Sequence, residues 1–490
     1  MAYKILIDGA LTLPVKGGTM DVINPADGSV VAAVPRCTAE DIDLAVAAAN
    51  RAKAAWKKTY IGDRADMLMR LAAILREHSD ELVPLETAQY GGPISKTSRF
   101  DIPFAPGEFE FIAGLGRSLT GLTISADPNA RVMTLREPLG VVGLISPWNF
   151  PLVTAVSKLA PALIMGNTVV MKPPSCAPLT VLKLGEYIVE AGIPAGVVNI
   201  VTGPGAEVGE AIVTHPGVDK INFTGDSATG KRILSLAADK VMPVGAELGG
   251  KNAMIVLNDA DVLAAVEGAT HAAFFNSGQN CGSPSRFYVQ EGIYDEFVSK
   301  FVDASSRITI GDPLDPNTMI GPLAYMQCRV TAERFIESAA AAGSKLLLGG
   351  ALPAELQKGA YVLPHIFEVY DNKIEFMQEE IFAPVVGIMK VKSAEEAIQL
   401  ANDSKYGLCA SIWTNDYRKG LLYIDELKVG TAWINQHLAI VPETPWGGQK
   451  ESGWTKENSI LVLDEYCYHK HIWINLAEGP NTFWHDKIKL

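Results

Sequence analysis

The feature that most constrains the fold is a regular alternation of short apolar runs and amphipathic stretches in the first half of the chain. Apolar runs lie at 141–145, 168–171, 197–201 and 220–223. Helical patterns lie between them, near 152–165, 178–191 and 206–214. Strands and helices at this spacing predict an α/β fold with a parallel sheet and crossover helices.

A second alternating region follows between residues 253 and 446. Strands are predicted at 253–257, 287–290, 408–413 and 430–434, with helices near 261–277 and 293–305. We expect a second α/β domain there, because a chain of 490 residues is too long for one core.

The front of the chain predicts other elements. Asp27-Gly28 between two apolar pairs indicates a hairpin, and long helices are expected at 39–57 and 63–90. The segments 120–138 and 468 onward fit neither α/β region. Residues 471–476 form an apolar strand pattern late in the chain. Such a strand needs a partner strand, and another subunit is one candidate.

Composition excludes several classes of function. The chain has 42 Lys and Arg against 55 Asp and Glu, a net charge of −13, which argues against nucleic acid or an anionic membrane as partner. No apolar stretch is long enough for a transmembrane helix, and the N-terminus lacks a secretory pattern, so we expect a cytoplasmic protein. The six Cys and eight His show no metal-ligand spacing, and no metal site is expected.

One turn has the composition of a phosphate site. The strand ending at Thr224 is followed by Gly225-Asp226 and, after three residues, by Gly230. Glycines at a strand-to-helix turn let a phosphate approach backbone N–H groups, although the GxGxxG spacing is absent from the chain. The alternative is an ordinary turn with Asp226 as N-cap, which turn chemistry alone favours.

Three polar residues could carry chemistry. Glu247 is followed by Leu-Gly-Gly, and Cys281 lies 34 residues later in a polar loop, so they could form a base and a nucleophile. Asn149 follows a strand and could donate a hydrogen bond to an oxyanion. The alternatives are a buried inert thiol at Cys281 and an N-cap at Asn149.

Together these motifs resemble the aldehyde dehydrogenase superfamily over essentially the whole chain. The matching pieces are SPWNFP at 146–151, VVMKP at 169–173, FTG at 223–225, ELGGKNA at 247–253, GQNC at 278–281, EEIFAPV at 379–385, Ile434-Asn435, PWGGQKESG at 445–453 and Glu457. Their order and spacing are highly specific.

The resemblance implies a role for each matching residue. Cys281 corresponds to the nucleophile, Glu247 to the general base, Asn149 to the oxyanion donor, and Lys158 with Glu457 to a proton-relaying pair. It implies a Rossmann-type cofactor domain (1–119 and 139–249, with 451–467), an α/β catalytic domain (250–450) and oligomerisation segments (120–138 and 468–490). The implied contacts to NAD or NADP are Ser146, Trp148, Lys172, Ser175, Gly225, Asp226, Gly230, Glu380 and Phe382.

The chemistry is consistent with these roles. A free thiol has a pKa of about 8.5, so it must be activated before it adds to an aldehyde carbon. The Asn149 amide and the Cys281 N–H would bind the resulting oxyanion, and hydride would leave for the nicotinamide. Glu247 would then activate water to hydrolyse the thioester.

Two positions depart from the family pattern. Ser175 stands where relatives that prefer NAD carry a glutamate, so the charge that would repel a 2′-phosphate is missing and we expect NADP to be accepted. Asp226 replaces the usual serine, and a carboxylate beside a pyrophosphate is unfavourable unless it turns away as an N-cap.

By resemblance, the substrate tunnel predicts a bulky aldehyde. Small residues should widen the tunnel, and aromatic rings favour flat apolar groups. No Arg among the wall positions is available to pair with a distal carboxylate. An aromatic or terpenoid-like substrate is therefore expected. Asn280 and His437 could contact a substrate hydroxyl. The predicted wall residues are Phe150, Val153, Thr154, Ser157, Phe275, Asn280, Gly282, His437, Leu438, Ile440 and Trp446.

Two other functions are conceivable. A CoA-acylating semialdehyde dehydrogenase would normally lack Glu247, and a catalytically silent structural relative would not need Cys281, Glu247 and Asn149 together. Exposed edges at 120–138 and 472–476 predict a homo-oligomer, either a dimer or a tetramer.

Overall fold

The structure, a computed structural model, describes residues 3–478. Its described strands form two seven-stranded sheets, one three-stranded sheet and two two-stranded sheets. In chain order the strands are β1 (Ile5–Ile7), β2 (Ala10–Thr12), β3 (Thr19–Ile23), β4 (Val30–Pro35), β5 (Thr123–Ile124), β6 (Ala130–Pro138), β7 (Val141–Ile145), β8 (Thr168–Lys172), β9 (Val198–Ile200), β10 (Lys220–Thr224), β11 (Val244–Glu247), β12 (Asn252–Val256), β13 (Pro284–Gln290), β14 (Lys345–Leu348), β15 (His365–Glu368), β16 (Val385–Val391), β17 (Tyr406–Gly407), β18 (Cys409–Trp413), β19 (Thr431–Ile434), β20 (Gln449–Lys450) and β21 (Cys467–Asn475).

The α-helices lie mainly between the strands of the two large sheets. In chain order they are α1 (Ala39–Lys58), α2 (Ile61–Glu77), α3 (Ser79–Tyr90), α4 (Ile94–Lys96), α5 (Ile102–Arg117), α6 (Pro151–Ile164), α7 (Leu179–Glu190), α8 (Glu210–Thr214), α9 (Ser227–Ala238), α10 (Val262–Phe274), α11 (Tyr294–Ser306), α12 (Met326–Ala341), α13 (Glu375–Gln378), α14 (Ala394–Asn402) and α15 (Tyr417–Glu426). Short π-helical turns lie at 97–101 and 205–209, and 3₁₀ turns at 275–278, 354–356 and 460–466.

The first sheet has the order β11-β10-β7-β8-β9-β1-β2. Strands β7 to β11 run parallel, as the strand and helix alternation predicts. The chain passes from β7 through β8 to β9 on one side, and then returns to place β10 on the other side of β7. The loops after β7 and β10 therefore diverge and leave a crevice at the carboxyl ends of these strands.

The second sheet has the order β14-β15-β16-β13-β12-β18-β19, and all neighbours except β14 and β15 are parallel. Only residues 248–251 join β11 of the first sheet to β12 of the second. Four residues reach at most roughly 14 Å. The carboxyl edge of the first sheet must therefore face the amino edge of the second.

Helix α6 lies in the interior of the protein and supports this junction. Every one of its residues except Thr154 is buried. A helix that is buried on nearly all sides belongs in a core, and here it lies against α5 and β8. The residues at its amino end are thereby held at the crevice.

Of two expectations from the front of the chain, one needs correction and one is confirmed. The predicted helix at 63–90 is two helices, α2 and α3, because His78 has a non-helical ψ of 11°. Asp80 and Glu81 then lie in the first turn of α3, where acidic side chains stabilise a new amino terminus. The hairpin around Asp27-Gly28 is confirmed by the antiparallel pairing of β3 and β4.

The tail strand has a partner within the same chain, which the sequence did not predict. β21 pairs antiparallel with β6 along its whole length, from Cys467 opposite Pro138 to Asn475 opposite Ala130. β5 pairs antiparallel with the other edge of β6, so the segment 120–138 contains a hairpin. The remainder of the predicted tail segment, 479–490, lies outside the described residues.

Among the described helices, none combines the length and the apolar character needed to cross a membrane.

Candidate active site

A cavity of about 1310 Å³ lies where the two large sheets meet. The loops after β7, β8, β10 and β11 form its walls on one side, and segments around Cys281, Phe382 and Leu438 form the other. Of the predicted site residues, those in the wall are Ser146, Trp148, Asn149, Phe150, Val153, Thr154, Ser157, Lys172, Ser175, Gly225, Asp226, Glu247, Phe275, Asn280, Cys281, Glu380, Phe382, Leu438, Ile440, Trp446 and Glu457.

Cys281 lies three residues before β13, on a loop held by Asn252 at the start of β12. The Asn252 amide Nδ2 donates to the carbonyl oxygens of Cys281 (2.5 Å) and Ser283 (3.0 Å), and its Oδ1 accepts from the N–H of Cys409 (3.1 Å). These three bonds tie the loop to two strands of the second sheet. Asn252 was not identified from the sequence as a site residue, although it lies within the ELGGKNA motif.

Glu247 is the last residue of β11 and is only 2% exposed. Its Oε1 accepts a hydrogen bond from the indole N–H of Trp446 at 3.2 Å. Burial raises the pKa of Glu247 well above its usual value, and the nearby carboxylate of Glu457 raises it further. Burial likewise raises the pKa of the Cys281 thiol, and the nearby charge of Glu247 raises it further. Both shifts have the same cause, because a buried charge is poorly solvated.

A buried polar cluster lies close enough to Glu247 to act on its charge. Lys158, fully buried on α6, donates to Glu457 and to Thr224 Oγ1 (2.5 Å). Thr224 Oγ1 in turn donates to Glu457 Oε1 at 3.1 Å. Thr224 and Glu457 line the cavity, whereas Lys158 lies behind them. These three side chains therefore form one continuous hydrogen-bonded set.

Asn149 is positioned by the segment that leads to Cys281. Its Nδ2 donates to the carbonyl of Gln279 at 3.1 Å, and its own carbonyl accepts from Asn276 Nδ2 at 2.9 Å. An amide nitrogen carries two N–H groups. One is therefore used to fix the side chain, and the other is available to a ligand in the cavity.

Strained backbone surrounds these groups. Asn276, Ser277, Phe382 and Leu438 have φ values of 55°, 57°, 58° and 61°, in the left-handed region that side chains other than Gly rarely adopt. Such residues persist only where the surrounding structure holds them, and they concentrate at functional sites. Here Asn276 and Ser277 lie in the turn before Cys281, and Phe382 and Leu438 line the cavity.

The other end of the cavity carries the groups predicted to hold a dinucleotide. Lys172 is 4% exposed and donates to the Pro173 carbonyl at 3.1 Å, and burial lowers its pKa to about 8. Asp226 is the N-cap of α9 and accepts from Thr229 N (2.8 Å) and Oγ1 (2.7 Å), so the expected capping role is confirmed. Ser175 Oγ donates to the Gly203 carbonyl at 2.7 Å. Glu380 accepts from the Gly250 N–H at 2.9 Å, and burial raises its pKa to about 7.

His437, predicted to contact substrate, lies outside the described cavity wall. Its Nε2 bonds to the Gly282 carbonyl at 2.9 Å and its Nδ1 to Ser411 Oγ at 2.7 Å. Burial lowers its pKa to about 4. The neutral ring supports the loop that follows the nucleophile, because both nitrogens are already bonded to protein groups.

Two predicted glycines also lie outside this wall. A Cβ on Gly230 would meet Leu248 at 2.5 Å, so this glycine allows α9 to approach the chain after β11. A Cβ on Gly282 would meet Leu438 and Trp446 at 2.8 Å. Its small size therefore admits these two side chains and does not widen the tunnel.

Several wall residues were not identified from the sequence. Phe100 lies just before α5, Phe104 lies in its first turn, and His271 lies near the end of α10. Phe100 packs edge-on against both Phe150 and Phe275, with ring centroids 6.0 Å apart in each pair. The i, i+4 spacing of Phe100 and Phe104 indicates one helix face, but only the packing of α5 on α6 brings that face to the cavity.

The comparisons with known proteins agree with this geometry. The family model described as "Aldehyde dehydrogenase family" matches residues 13–472. An aldehyde dehydrogenase structure from Burkholderia cenocepacia is 40% identical, with a TM-score of 0.96 and coverage of 99% of both chains. PnpE from Pseudomonas sp. WBC-3, in complex with nicotinamide adenine dinucleotide, is 37% identical, with a TM-score of 0.96 and coverage of 98% of this chain and 99% of PnpE.

A third similar structure is the indole-3-acetaldehyde dehydrogenase AldA from P. syringae, a mutant in complex with NAD⁺ and IAA. It is 36% identical, with a TM-score of 0.95 and coverage of 97% of both chains. The chain described here belongs to the aldehyde dehydrogenase family, with the mixed α/β fold of that family, and is an enzyme of this class.

The position of Asn252 generates a prediction about the nucleophile loop. Asn252→Ala leaves the Cys281 and Ser283 carbonyls and the Cys409 N–H without their partner. Because small displacements of a reacting group are costly, we expect kcat to fall by about 10- to 100-fold. Steady-state NADH formation measures the change. Asn258→Ala, an exposed position just after the same strand, is the matched control and should keep full activity. Full turnover in Asn252→Ala would show that the loop does not need this support.

Proposed function

We propose that the protein oxidises a bulky aldehyde, aromatic or terpenoid-like, to its carboxylic acid by way of a thioester on Cys281. The observation that carries this proposal is one cavity that combines the Cys281 thiol, the Glu247 carboxyl and the Asn149 amide with a cluster of aromatic rings. The first three groups supply the chemistry, and the rings supply the specificity.

Each catalytic group has a defined task in the proposed mechanism. The Glu247 carboxylate accepts the Cys281 thiol proton and releases it to solvent, and the thiolate adds to the aldehyde carbon, while the free N–H of the Asn149 amide and the Cys281 backbone N–H bind the oxyanion. Glu247 accepts a proton from water, which attacks the thioester and releases the acid. Lys158, Thr224 and Glu457 take that proton onward through their hydrogen bonds.

The residues at the other end of the cavity fit a nicotinamide dinucleotide. Lys172 uses one of its three N–H groups on the Pro173 carbonyl and keeps donors for a ligand hydroxyl or phosphate. Ser146 Oγ is buried and has no partner among the described residues. Trp148, Gly225, Asp226, Glu380 and Phe382 complete the contacts. The bound dinucleotide would accept the hydride, and similar structures with NAD support this assignment.

The preference for an aromatic substrate follows from the wall. Phe100, Phe104, Phe150, Phe275 and Trp446 face the cavity, and aromatic rings pair favourably with flat apolar groups. Arg232 also reaches the wall, but its guanidinium pairs with Glu210 at 3.0 and 3.1 Å. A substrate with a distal carboxylate would have to compete with that pair. The similarity to an indole-3-acetaldehyde dehydrogenase supports an aromatic class.

The first prediction of the proposal concerns covalent catalysis. Cys281→Ser should abolish oxidation while cofactor binding remains, and mass spectrometry of the quenched wild type should find the acyl group on Cys281. Glu247→Gln should slow thioester hydrolysis more than hydride transfer, giving an NADH burst that stalls. Because the pKa values of Cys281 and Glu247 are raised and their deprotonated forms react, wild-type kcat/KM should fall as the pH is lowered.

Three outcomes would contradict this mechanism: an acyl group on another Cys, full turnover in either variant, or turnover that requires CoA. The last outcome would instead support the acylating alternative.

The second prediction concerns the substrate. The value of kcat/KM should be higher for benzaldehyde-type and long unsaturated aldehydes than for acetaldehyde or succinic semialdehyde, since only the larger groups fill the aromatic wall. A product assay over this panel measures it. Higher efficiency with either small aldehyde would show that the assignment of the substrate class is wrong.

The third prediction concerns the cofactor. Ser175 lines the cavity and carries no negative charge, so NADP⁺ should support turnover within about tenfold of NAD⁺, a difference of about 1.4 kcal/mol. Ser175→Glu should shift the preference towards NAD⁺, with Ser175→Ala as the uncharged control. A wild-type preference for NAD⁺ by several orders of magnitude would contradict the expectation.

The fourth prediction concerns assembly. Trp473 and Leu476 on and after β21 are each 51% exposed, and Leu122 beside β5 is 65% exposed, so the small sheet presents apolar surface. We propose a dimer or tetramer in the cytoplasm, a compartment suited to the unpaired thiols of Cys37, Cys176, Cys281, Cys328, Cys409 and Cys467. Light scattering at micromolar concentration should give the mass of an oligomer, and a monomer would refute the proposal.

A further inference from the structure

A buried lysine lies directly behind the aromatic wall. Lys96 ends the short helix α4, and its side chain is 3% exposed. Its Nζ donates to Asp101 Oδ2 (2.7 Å), to the Tyr90 hydroxyl (2.5 Å) and to the Asn149 carbonyl (3.4 Å). A protonated ammonium has three N–H groups. The three acceptors therefore match the charged form of Lys96.

The same ammonium lies over the ring of Phe150, with Nζ 3.9 Å from the ring centroid. An ammonium within about 6 Å of a ring is attracted by its π electrons, and most strongly where water is excluded. Phe150 also packs nearly parallel to Phe275, at a centroid distance of 6.4 Å and an angle of 28°, and it lines the cavity. A buried cation and the substrate cavity thus share one aromatic ring.

The framework around Lys96 keeps this geometry in place. Tyr90 donates to Asp101 Oδ2 at 3.2 Å, so two of the three acceptors of the ammonium are bonded to each other. Glu86 accepts from the Leu152 N–H at 3.1 Å and from Gln89 Nε2 at 2.6 Å, and so joins α3 to the first turn of α6. Phe150 immediately precedes α6, so the bond between Glu86 and Leu152 fixes the helix end beside it.

We propose that Lys96 is a specificity-determining residue that acts through Phe150 and makes the tunnel prefer electron-rich aromatic aldehydes. The cation draws the π electrons of Phe150 towards itself, so the ring presents reduced electron density to a substrate. An electron-poor ring packs best against an electron-rich one, such as a methoxyphenyl, hydroxyphenyl or indole group. This inference rests on the proposed oxidation of aromatic aldehydes.

The test uses 3-arylpropanals with a para-methoxy, hydrogen or nitro substituent. Two methylene groups separate the ring from the carbonyl, so the substituent changes the packing of the ring far more than the reactivity of the aldehyde. The wild type should prefer the methoxy over the nitro substrate by roughly two- to fivefold in kcat/KM. Lys96→Met should bring this ratio close to one.

Lys390→Met is the matched control. Its Nζ lies 4.4 Å from the Tyr294 ring centroid, but the side chain is 46% exposed and lies outside the described cavity wall. This variant should keep the wild-type ratio. If Lys96→Met lowers kcat/KM for every arylpropanal by the same factor, Lys96 has only a structural role and the proposal is overturned.

Lys96→Met leaves Asp101 buried without its cation, which is costly for folding. The double variant Lys96→Met/Asp101→Asn removes both charges and should show the same loss of preference. Phe150→Leu should also abolish the preference, and adding Lys96→Met to it should change the ratio no further, since the effect passes through that ring.

The matching 3-arylpropanoic acids separate this proposal from the proposed oxidation. Their dissociation constants, measured by calorimetry, should show the same preference in the wild type and its loss in Lys96→Met, whether or not the aldehydes are oxidised. An unchanged ratio of dissociation constants in Lys96→Met would overturn the role of Lys96, while absence of oxidation alone would refute only the substrate class.

Discussion

The active site depends on the short connection between the two large sheets. Residues 248–251 bring the carboxyl edge of the first sheet against the amino edge of the second, and thereby place Glu247 and Cys281 on one cavity. Asn252, the first residue after this connection, holds the Cys281 loop by two hydrogen bonds and accepts a third from Cys409 in β18. The short link thus brings the proposed base on one sheet close to the proposed nucleophile beside the other.

Burial determines the electrostatics around this junction. Glu247 and Cys281 have raised pKa values because the pocket solvates charge poorly. Where charge is kept, it is paired: Lys158 with Glu457 behind the base, and Lys96 with Asp101 behind the aromatic wall. The same exclusion of water that makes these pairs necessary also strengthens their action on neighbouring groups.

Much of the fold was predictable from local patterns. The apolar runs at 141–145 and 220–223 correspond to β7 and β10 almost residue for residue, and the hairpin at Asp27-Gly28 follows from its turn composition. The break between α2 and α3 and the pairing of β21 with β6 were not predicted. Strand partners far apart in the chain leave no local pattern, since the pairing depends on where the rest of the chain places each edge.

The sequence by itself determined the family, the alternating α/β plan and the identity of the residues that match the catalytic motifs, because these depend on residue type, order and spacing. Only the tertiary structure decided which side chains face the cavity. His437 proved to be bonded on both nitrogens behind Gly282, while Phe100, Phe104 and Lys96 proved to form or support the wall. The direction of a side chain is set by packing between distant elements, and the spacing of residues along the chain does not reveal that direction.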